Sequence, residues 1–138
     1  MALLEVDELR TEFRSRTQTV RAVDGVSFSV EKGQTLAIVG ESGCGKSVTA
    51  LSIAGLLPNR TATIAGGSVR FDGRDLATLS ARDMRRVRGT GIAMIFQDPM
   101  SSLNPALTIG RQITESLRHN LGMSRRAADA RAVELLSM

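Results

Sequence analysis

The chain has 138 residues with 42% apolar side chains, 23% charged side chains and a net charge of +4, which is typical of a single soluble globular domain. No apolar run approaches the roughly 20 residues that span a bilayer, and "MALLEVDELR" has acidic residues where a signal peptide has a basic and then an apolar region, so we do not expect a signal peptide here. Cys44 is the only cysteine, so an internal disulfide is excluded and a reducing cytoplasm fits.

The first part of the chain predicts an antiparallel β-layer. Residues 3–13 and 20–30 alternate in polarity enough to favour two strands, which the polar stretch "RSRTQT" joins. The following "EKGQ" is typical of a tight turn. This turn leads into the apolar, partly β-branched residues 35–39, which predict a buried parallel strand.

The next segment, "GESGCGKS" at residues 40–47, matches the G-x-x-x-x-G-K-[ST] pattern of a phosphate-binding loop. Apolar residues recur after it at helical spacing until Pro58, so the loop joins a predicted strand to a predicted helix. Its glycines let successive N–H groups point at an anion, and the helix N-terminus adds partial positive charge. We therefore expect a nucleoside triphosphate here, with Lys46 at the β- and γ-phosphates and the Ser47 hydroxyl on Mg²⁺.

The alternative is a glycine-rich turn with an exposed lysine, which the strand and helix on either side make the weaker interpretation. Cys44 occupies a free position of the loop, where a small side chain fits without a redox role. The residues expected to line the nucleotide are Gly40, Glu41, Ser42, Gly43, Cys44, Gly45, Lys46, Ser47 and Val48.

Beyond the loop helix, "ATIAGGSVRFDGRDL" predicts a hairpin, with Gly66-Gly67 and Asp72-Gly73 as turn signals. The arginine-rich "ARDMRRVRG" predicts a short helix with Ser80 as N-cap and Asp83 three residues later. No aromatic residue interleaves these arginines, and the chain has neither Trp nor Tyr. The cluster therefore indicates a solvated helix face and not a nucleic-acid site.

The last part of the chain predicts one strand, one loop and two helices. "GIAMIFQ" is typical of a second buried strand and ends in Gln97, and "DPMSSLNPALTIG" favours a loop because its prolines block regular structure. Helical patterns cover 109–119 and the stretch from Ser124 to the end of the chain.

Two stretches taken together, "AVDGVSFSVEKGQTLAIVGESGCGKSVTALSIAGLLP" and "FQDPMSSLNPALTIGRQI", resemble the ATP-binding subunits of ABC transporters. Within that family the wording is most similar to the dipeptide, oligopeptide and nickel importers. The resemblance implies an α/β P-loop NTPase fold of the ABC ATPase type. It implies an N-terminal β-layer at 1–34, a core from the P-loop to the Q-loop at 35–97, and the start of a helical subdomain at 98–138.

The resemblance also implies roles for single residues and for partners. Phe13 corresponds to the aromatic that stacks on adenine, where the family more often has Tyr, and a strand-end core Phe is the alternative. Gln97 corresponds to the Q-loop glutamine, which joins the Mg²⁺ shell and helps to place the attacking water. The cofactors expected are ATP and Mg²⁺. The partners expected are membrane permease subunits, through 98–120, and a second ATP-binding subunit, on the cytoplasmic face of the membrane.

The 138 residues contain no LSGGQ-like signature, no apolar strand ending in Asp-Glu and no switch histidine. We therefore expect an incomplete fold, the N-terminal portion of a longer subunit whose intact form hydrolyses ATP to drive transport. Residues 1–138 alone are expected to be inactive. The alternatives are an ABC ATPase of a non-transport system and a non-catalytic nucleotide-binding remnant.

Overall fold

The computed structural model describes residues 2–58, 60–98 and 102–138. These residues form two compact units, 1–84 and 85–138. The first unit holds the β-layer and the glycine-rich loop, and the second unit is helical. The expected three-way division at 34 and 97 stays a prediction.

The first unit is built on a four-stranded antiparallel sheet. Its strands are β1 (Leu4–Arg14), β2 (Thr19–Val30), β3 (Ala62–Phe71) and β4 (Arg74–Asp75), in the order β2-β1-β3-β4. The two predicted N-terminal strands are thus confirmed, and β1 lies between β2 and β3. The Asp72-Gly73 turn is confirmed as well, since it joins β3 to β4, but Gly66-Gly67 lies inside β3 and the predicted turn there is wrong.

The two faces of the sheet differ in chemistry because side chains alternate along each strand. One face carries ion pairs such as Arg10 with Asp24 at 3.4 Å and Arg21 with Glu12 at 3.4 Å. The opposite face holds the core cluster, whose buried members are Val6, Leu9, Val23 and Val69. This apolar face is the surface on which the first helix packs, through Val48 and Ile53.

Helix α1 (Lys46–Ile53) follows the glycine-rich loop and is shorter than the sequence predicts. It does not continue to Pro58 because Gly55 adopts a left-handed conformation with φ of 62°. The N–H of Leu56 donates to the carbonyl of Leu51 at 2.9 Å, and the N–H of Gly55 donates to that of Ser52 at 3.1 Å. These two bonds form a Schellman-type end.

The remaining helices are α2 (Ala81–Thr90), α3 (Ile109–Leu121) and α4 (Arg125–Ser137). Ser80 accepts a hydrogen bond from the N–H of Asp83, so the predicted cap of α2 is confirmed. Ser124 caps α4 as predicted, and Thr108 caps α3. Among the described residues, no helix is both long enough and apolar enough to cross a bilayer.

The two predicted parallel strands are not formed. Residues 34–40 and 92–96 have no assigned secondary structure, and Val39 and Ile95 are 87% and 96% exposed. Their apolar composition predicts burial, but a strand also needs a hydrogen-bonded neighbour. Neither segment has one among the described residues, where the antiparallel sheet is the sole sheet.

Substitution of Gly67 tests whether its close approach to β1 is a constraint on the sheet. Its φ is +81°, and a Cβ placed there would overlap the backbone carbonyl oxygens of Asp7 and Glu8 on β1. We expect Gly67→Ala to lower the free energy of unfolding by more than about 2 kcal/mol, since backbone strain and overlap add.

Gly73→Ala is the matched control, because Gly73 has a φ of +72° but open space around its Cβ position. It should cost only the conformational strain of about 1 kcal/mol. Urea denaturation compares the two variants. Equal losses of stability would show that the close approach of Gly67 to β1 is not a constraint.

Candidate phosphate-binding site

The glycine-rich loop reaches α1 through two residues with positive φ, Gly43 at 82° and Gly45 at 95°. Non-glycine residues seldom adopt this conformation, so the two glycines set the path of the loop. Gly40 is constrained differently. A Cβ at Gly40 would lie 2.6 Å from Sγ of Cys44, so the two ends of the loop approach closely.

Gly45 joins the loop to the sheet. A Cβ there would overlap the carbonyl oxygen of Ala22 and lie 3.7 Å from Cγ2 of Val23. Ala22 is a β-bulge, since the consecutive β1 residues Thr11 and Glu12 pair with Val23 and Arg21 and leave Ala22 without a β1 partner. The start of α1 therefore lies directly on the bulged backbone of β2.

The Lys46 ammonium is folded back on its own loop. Nζ donates to the carbonyl oxygens of Gly40 at 2.7 Å and Glu41 at 2.6 Å, and it lies 3.4 Å from Sγ of Cys44. These contacts hold a positive charge against the backbone of the loop, next to the start of α1. The loop remains open to solvent, because residues 40–44 are exposed.

The first turn of α1 presents free backbone donors. The N-cap residue is Gly45, so no side chain caps the helix, and the first turn contains no acidic residue. The N–H groups of the first turn have no acceptor within the helix, and they carry the positive end of its dipole. Lys46, Ser47 and Val48 occupy this turn, with Ser47 exposed and Val48 packed against the core cluster.

Phe13 lies near the end of β1, where it pairs with Val20 of β2 and Ala62 of β3 and is half-buried. Strand alternation puts Phe13 on the same face as Thr11, which α1 covers. Phe13 and the glycine-rich loop therefore both belong to the first unit, on one face of the sheet.

Gln97 lies in the second unit, where it is exposed and follows the extended residues 92–96. Of the region 98–120, residues 99–101 lie outside the described part of the chain. The structure thus brings together residues 40–48 and Phe13 in one unit, and it places Gln97 in the other.

Sequence reasoning missed one arrangement in the second unit, the side chain of Gln112 on α3. Its Nε2 donates to the carbonyls of Asn104 and Leu107, both at 3.0 Å, and its Oε1 accepts from the N–H of Asn104 at 2.9 Å. Gln112 therefore ties the described part of the loop before α3 to the helix. No spacing rule in the sequence signals such a contact.

The residues at the start of α1 suit a Mg²⁺ ion that is held mainly by phosphate oxygens. Among the described residues, no cluster of three or more His, Cys, Asp or Glu side chains could hold a metal. Within the same residues, the exposed Ser47 hydroxyl makes no hydrogen bond and is available as a ligand. Mg²⁺ commonly takes one or two protein ligands together with substrate phosphates and water, so one hydroxyl fits.

Comparison with protein families shows which family the chain belongs to. Residues 23–138 match the model of the family described as "ABC transporter". The chain belongs to the ABC transporter family. The match includes the glycine-rich loop and α1. That residues 40–47 form the P-loop of the domain stays a prediction from their spacing.

Curated relatives of the chain are ATP-binding proteins of transport systems. The chain is 54% identical to the "Probable peptide ABC transporter ATP-binding protein y4tR" of Sinorhizobium fredii, over 99% of this chain and 41% of the relative. It is 49% identical to the oligopeptide transport ATP-binding protein AppD of Bacillus subtilis, over 99% of this chain and 42% of the relative. The chain thus spans about 41% of the length of these relatives.

Solved structures support the fold. An ATP-binding cassette, MJ0796, in a dimeric post-hydrolysis state bound to ADP and Pi, superposes with a TM-score of 0.81 at 23% identity. The superposition covers 97% of this chain and 56% of the cassette. The α/β fold of the ABC ATPase type is therefore confirmed.

Cys44 offers a direct probe of the P-loop because it is exposed, free and close to Lys46. We expect MgATP to slow alkylation of Cys44 by a bulky maleimide at least severalfold, since phosphates in the loop would block access to Sγ. Mass spectrometry of the labelled protein gives the rate, and GMP at the same concentration is the control for non-specific anion effects. Equal rates with and without MgATP would place the nucleotide elsewhere.

Proposed function

We propose that the chain binds MgATP at its P-loop and, as part of an intact subunit, hydrolyses ATP to drive ABC-type transport, with peptides as the transported substrate. The observation that carries the proposal is the geometry of the loop, in which the Lys46 ammonium bonds the carbonyls of Gly40 and Glu41 beside the uncapped start of α1. The peptide class is supported by the names of the relatives in the family, and nickel is the alternative cargo.

Lys46 is the residue that recognises the β- and γ-phosphates in this proposal. Its ammonium is bonded to the carbonyls of Gly40 and Glu41, which are neutral acceptors. Phosphate oxygens carry negative charge and form stronger, charge-assisted hydrogen bonds, so they would replace the carbonyls as acceptors. The ammonium thus keeps the loop formed until a triphosphate enters.

The first turn of α1 supplies the remaining contacts. Backbone N–H groups from Gly45 to Val48 would donate to the phosphate oxygens, with the helix dipole favouring the negative charge. The Ser47 hydroxyl would hold Mg²⁺, and the resemblance to ABC ATPases implies the carbonyl of Gln97 as a further ligand. When bound, Mg²⁺ neutralises charge on the β- and γ-phosphates. Gln97 would also orient the attacking water through its amide.

Phe13 would stack on the adenine. Phe13 pairs with Val20, and the start of α1 lies on Ala22, two residues further along β2. Two residues of strand span about 7 Å, a distance that a ribose and the α-phosphate can bridge. The position of Phe13 therefore suits a base whose phosphates occupy the P-loop.

The intact subunit would act with permease subunits, which it would contact through 98–120, and with a second ATP-binding subunit, as MJ0796 does in its dimer. It would lie on the cytoplasmic face of the membrane. Gln112 would hold part of this permease-contact region in place, since it bonds the described part of the loop before α3. Hydrolysis by residues 1–138 alone would stay at background, because the 138 residues contain no apolar strand ending in Asp-Glu.

Lys46→Ala tests the ATP-binding proposal. Loss of a charge-assisted phosphate contact of about 1.5–3 kcal/mol should weaken ATP binding by more than about tenfold. Calorimetric titration with MgATP measures the affinity.

Lys32→Ala is the matched control, since Lys32 is the only other lysine and lies exposed in the turn before residue 34. It should bind MgATP like the unmodified chain. An unchanged affinity in Lys46→Ala would contradict the P-loop assignment. Steady phosphate release by residues 1–138, lost in Lys46→Ala, would contradict the proposal that these residues alone are inactive.

A further inference from the structure

Two buried hydroxyls join helix α1 to the central strand of the sheet. Thr11 on β1 is 0% exposed and Ser52 on α1 is 3% exposed, and their oxygens lie 2.8 Å apart. Ser52 also donates to the carbonyl of Val48 at 2.6 Å. Since that bond uses the single proton of Ser52, Thr11 is the donor between the two hydroxyls.

Apolar side chains of α1 also pack on the sheet. Val48 and Ile53 pack against the core cluster, and apolar contacts have no preferred direction. Such contacts therefore constrain the position of α1 on the sheet less sharply than a hydrogen bond does. The Thr11–Ser52 bond differs, because a hydrogen bond weakens steeply when its length or angle changes.

The bond lies on the same face of the sheet as Phe13 and the start of α1. Gly45 lies on Ala22 of β2, and Ser52 lies on Thr11 of β1, so α1 crosses the strands from β2 towards β1. Phe13 follows Thr11 by two residues on the same face of β1. A shift of α1 relative to Thr11 would therefore change the distance from the P-loop to Phe13.

We infer that Thr11 and Ser52 are positioning residues that hold the P-loop at a fixed offset from Phe13, and so favour a triphosphate that carries a base over inorganic triphosphate. This inference rests on the proposed function. Neither residue touches the nucleotide in this account. Thr11 acts through Ser52 and α1 on the P-loop, and through its own strand on Phe13.

Thr11→Val removes the hydroxyl and keeps the shape of the side chain. It leaves no buried donor unpaired, because the proton of Ser52 still bonds the carbonyl of Val48. In the protein as encoded by its gene, we expect Thr11→Val to weaken MgATP binding by up to about fivefold, since the net free energy of one hydrogen bond is the most that the contact can contribute to holding α1 in place. Binding of inorganic triphosphate, which contacts only the P-loop, should change by less than about twofold.

Three further variants separate positioning from general stability. Thr63→Val makes the same chemical change at an exposed position of β3 and should leave both affinities unchanged. The quantity compared is the ratio of the affinity for MgATP to the affinity for inorganic triphosphate. Thr11→Ser keeps the hydroxyl but removes a buried methyl group, so it should lower the melting temperature and leave this ratio unchanged. Ser52→Ala removes the acceptor of the Thr11 proton and should lower the ratio as Thr11→Val does.

The outcomes are distinct. A fall in the ratio for Thr11→Val and Ser52→Ala, with the ratio kept in Thr11→Ser, supports the inference. If the unmodified protein binds ATP and neither hydroxyl deletion changes the ratio, the inference is overturned alone. If the unmodified protein binds neither ATP nor inorganic triphosphate, the proposed function fails and the inference fails with it.

Discussion

The close approach of α1 to the bulged backbone of β2 is the constraint on which the rest of the site depends. The Ala22 carbonyl occupies the space that any side chain at Gly45 would need, so the helix can begin there only with glycine. With no side chain at its N-cap, the first turn keeps its N–H groups free. One packing requirement therefore produces both the orientation of the loop and the free N–H groups that the proposed phosphate site uses.

The sheet on which α1 packs has two chemically different faces. Ion pairs such as Arg21–Glu12 lie on one face, and the core that receives α1 lies on the other. Because β1 is the central strand, the Thr11 contact with Ser52 is shielded from solvent, where a hydrogen bond resists competition from water. Phe13 belongs to the same strand, so the expected base site and the P-loop share one support.

Local signals in the sequence were sufficient for the features that depend on neighbouring residues. The start of α1 at Lys46 and the caps at Ser80 and Ser124 follow from rules that span a few positions. The Ala22 bulge could not be predicted, since it depends on pairing with a distant strand. The strand predicted at residues 35–39 is wrong for the same reason. An apolar composition does not supply the neighbouring strand with which it would pair.

The most direct test of the central claim is an amide ¹H–¹⁵N NMR titration with MgATP and, separately, with inorganic triphosphate. The account predicts that both ligands shift the backbone amides of Gly45, Lys46, Ser47 and Val48 saturably, because phosphate oxygens accept from the first turn of α1. MgATP alone should also shift Phe13. Saturable shifts confined to the arginine-rich helix α2, with the amides of α1 unchanged, would contradict the account.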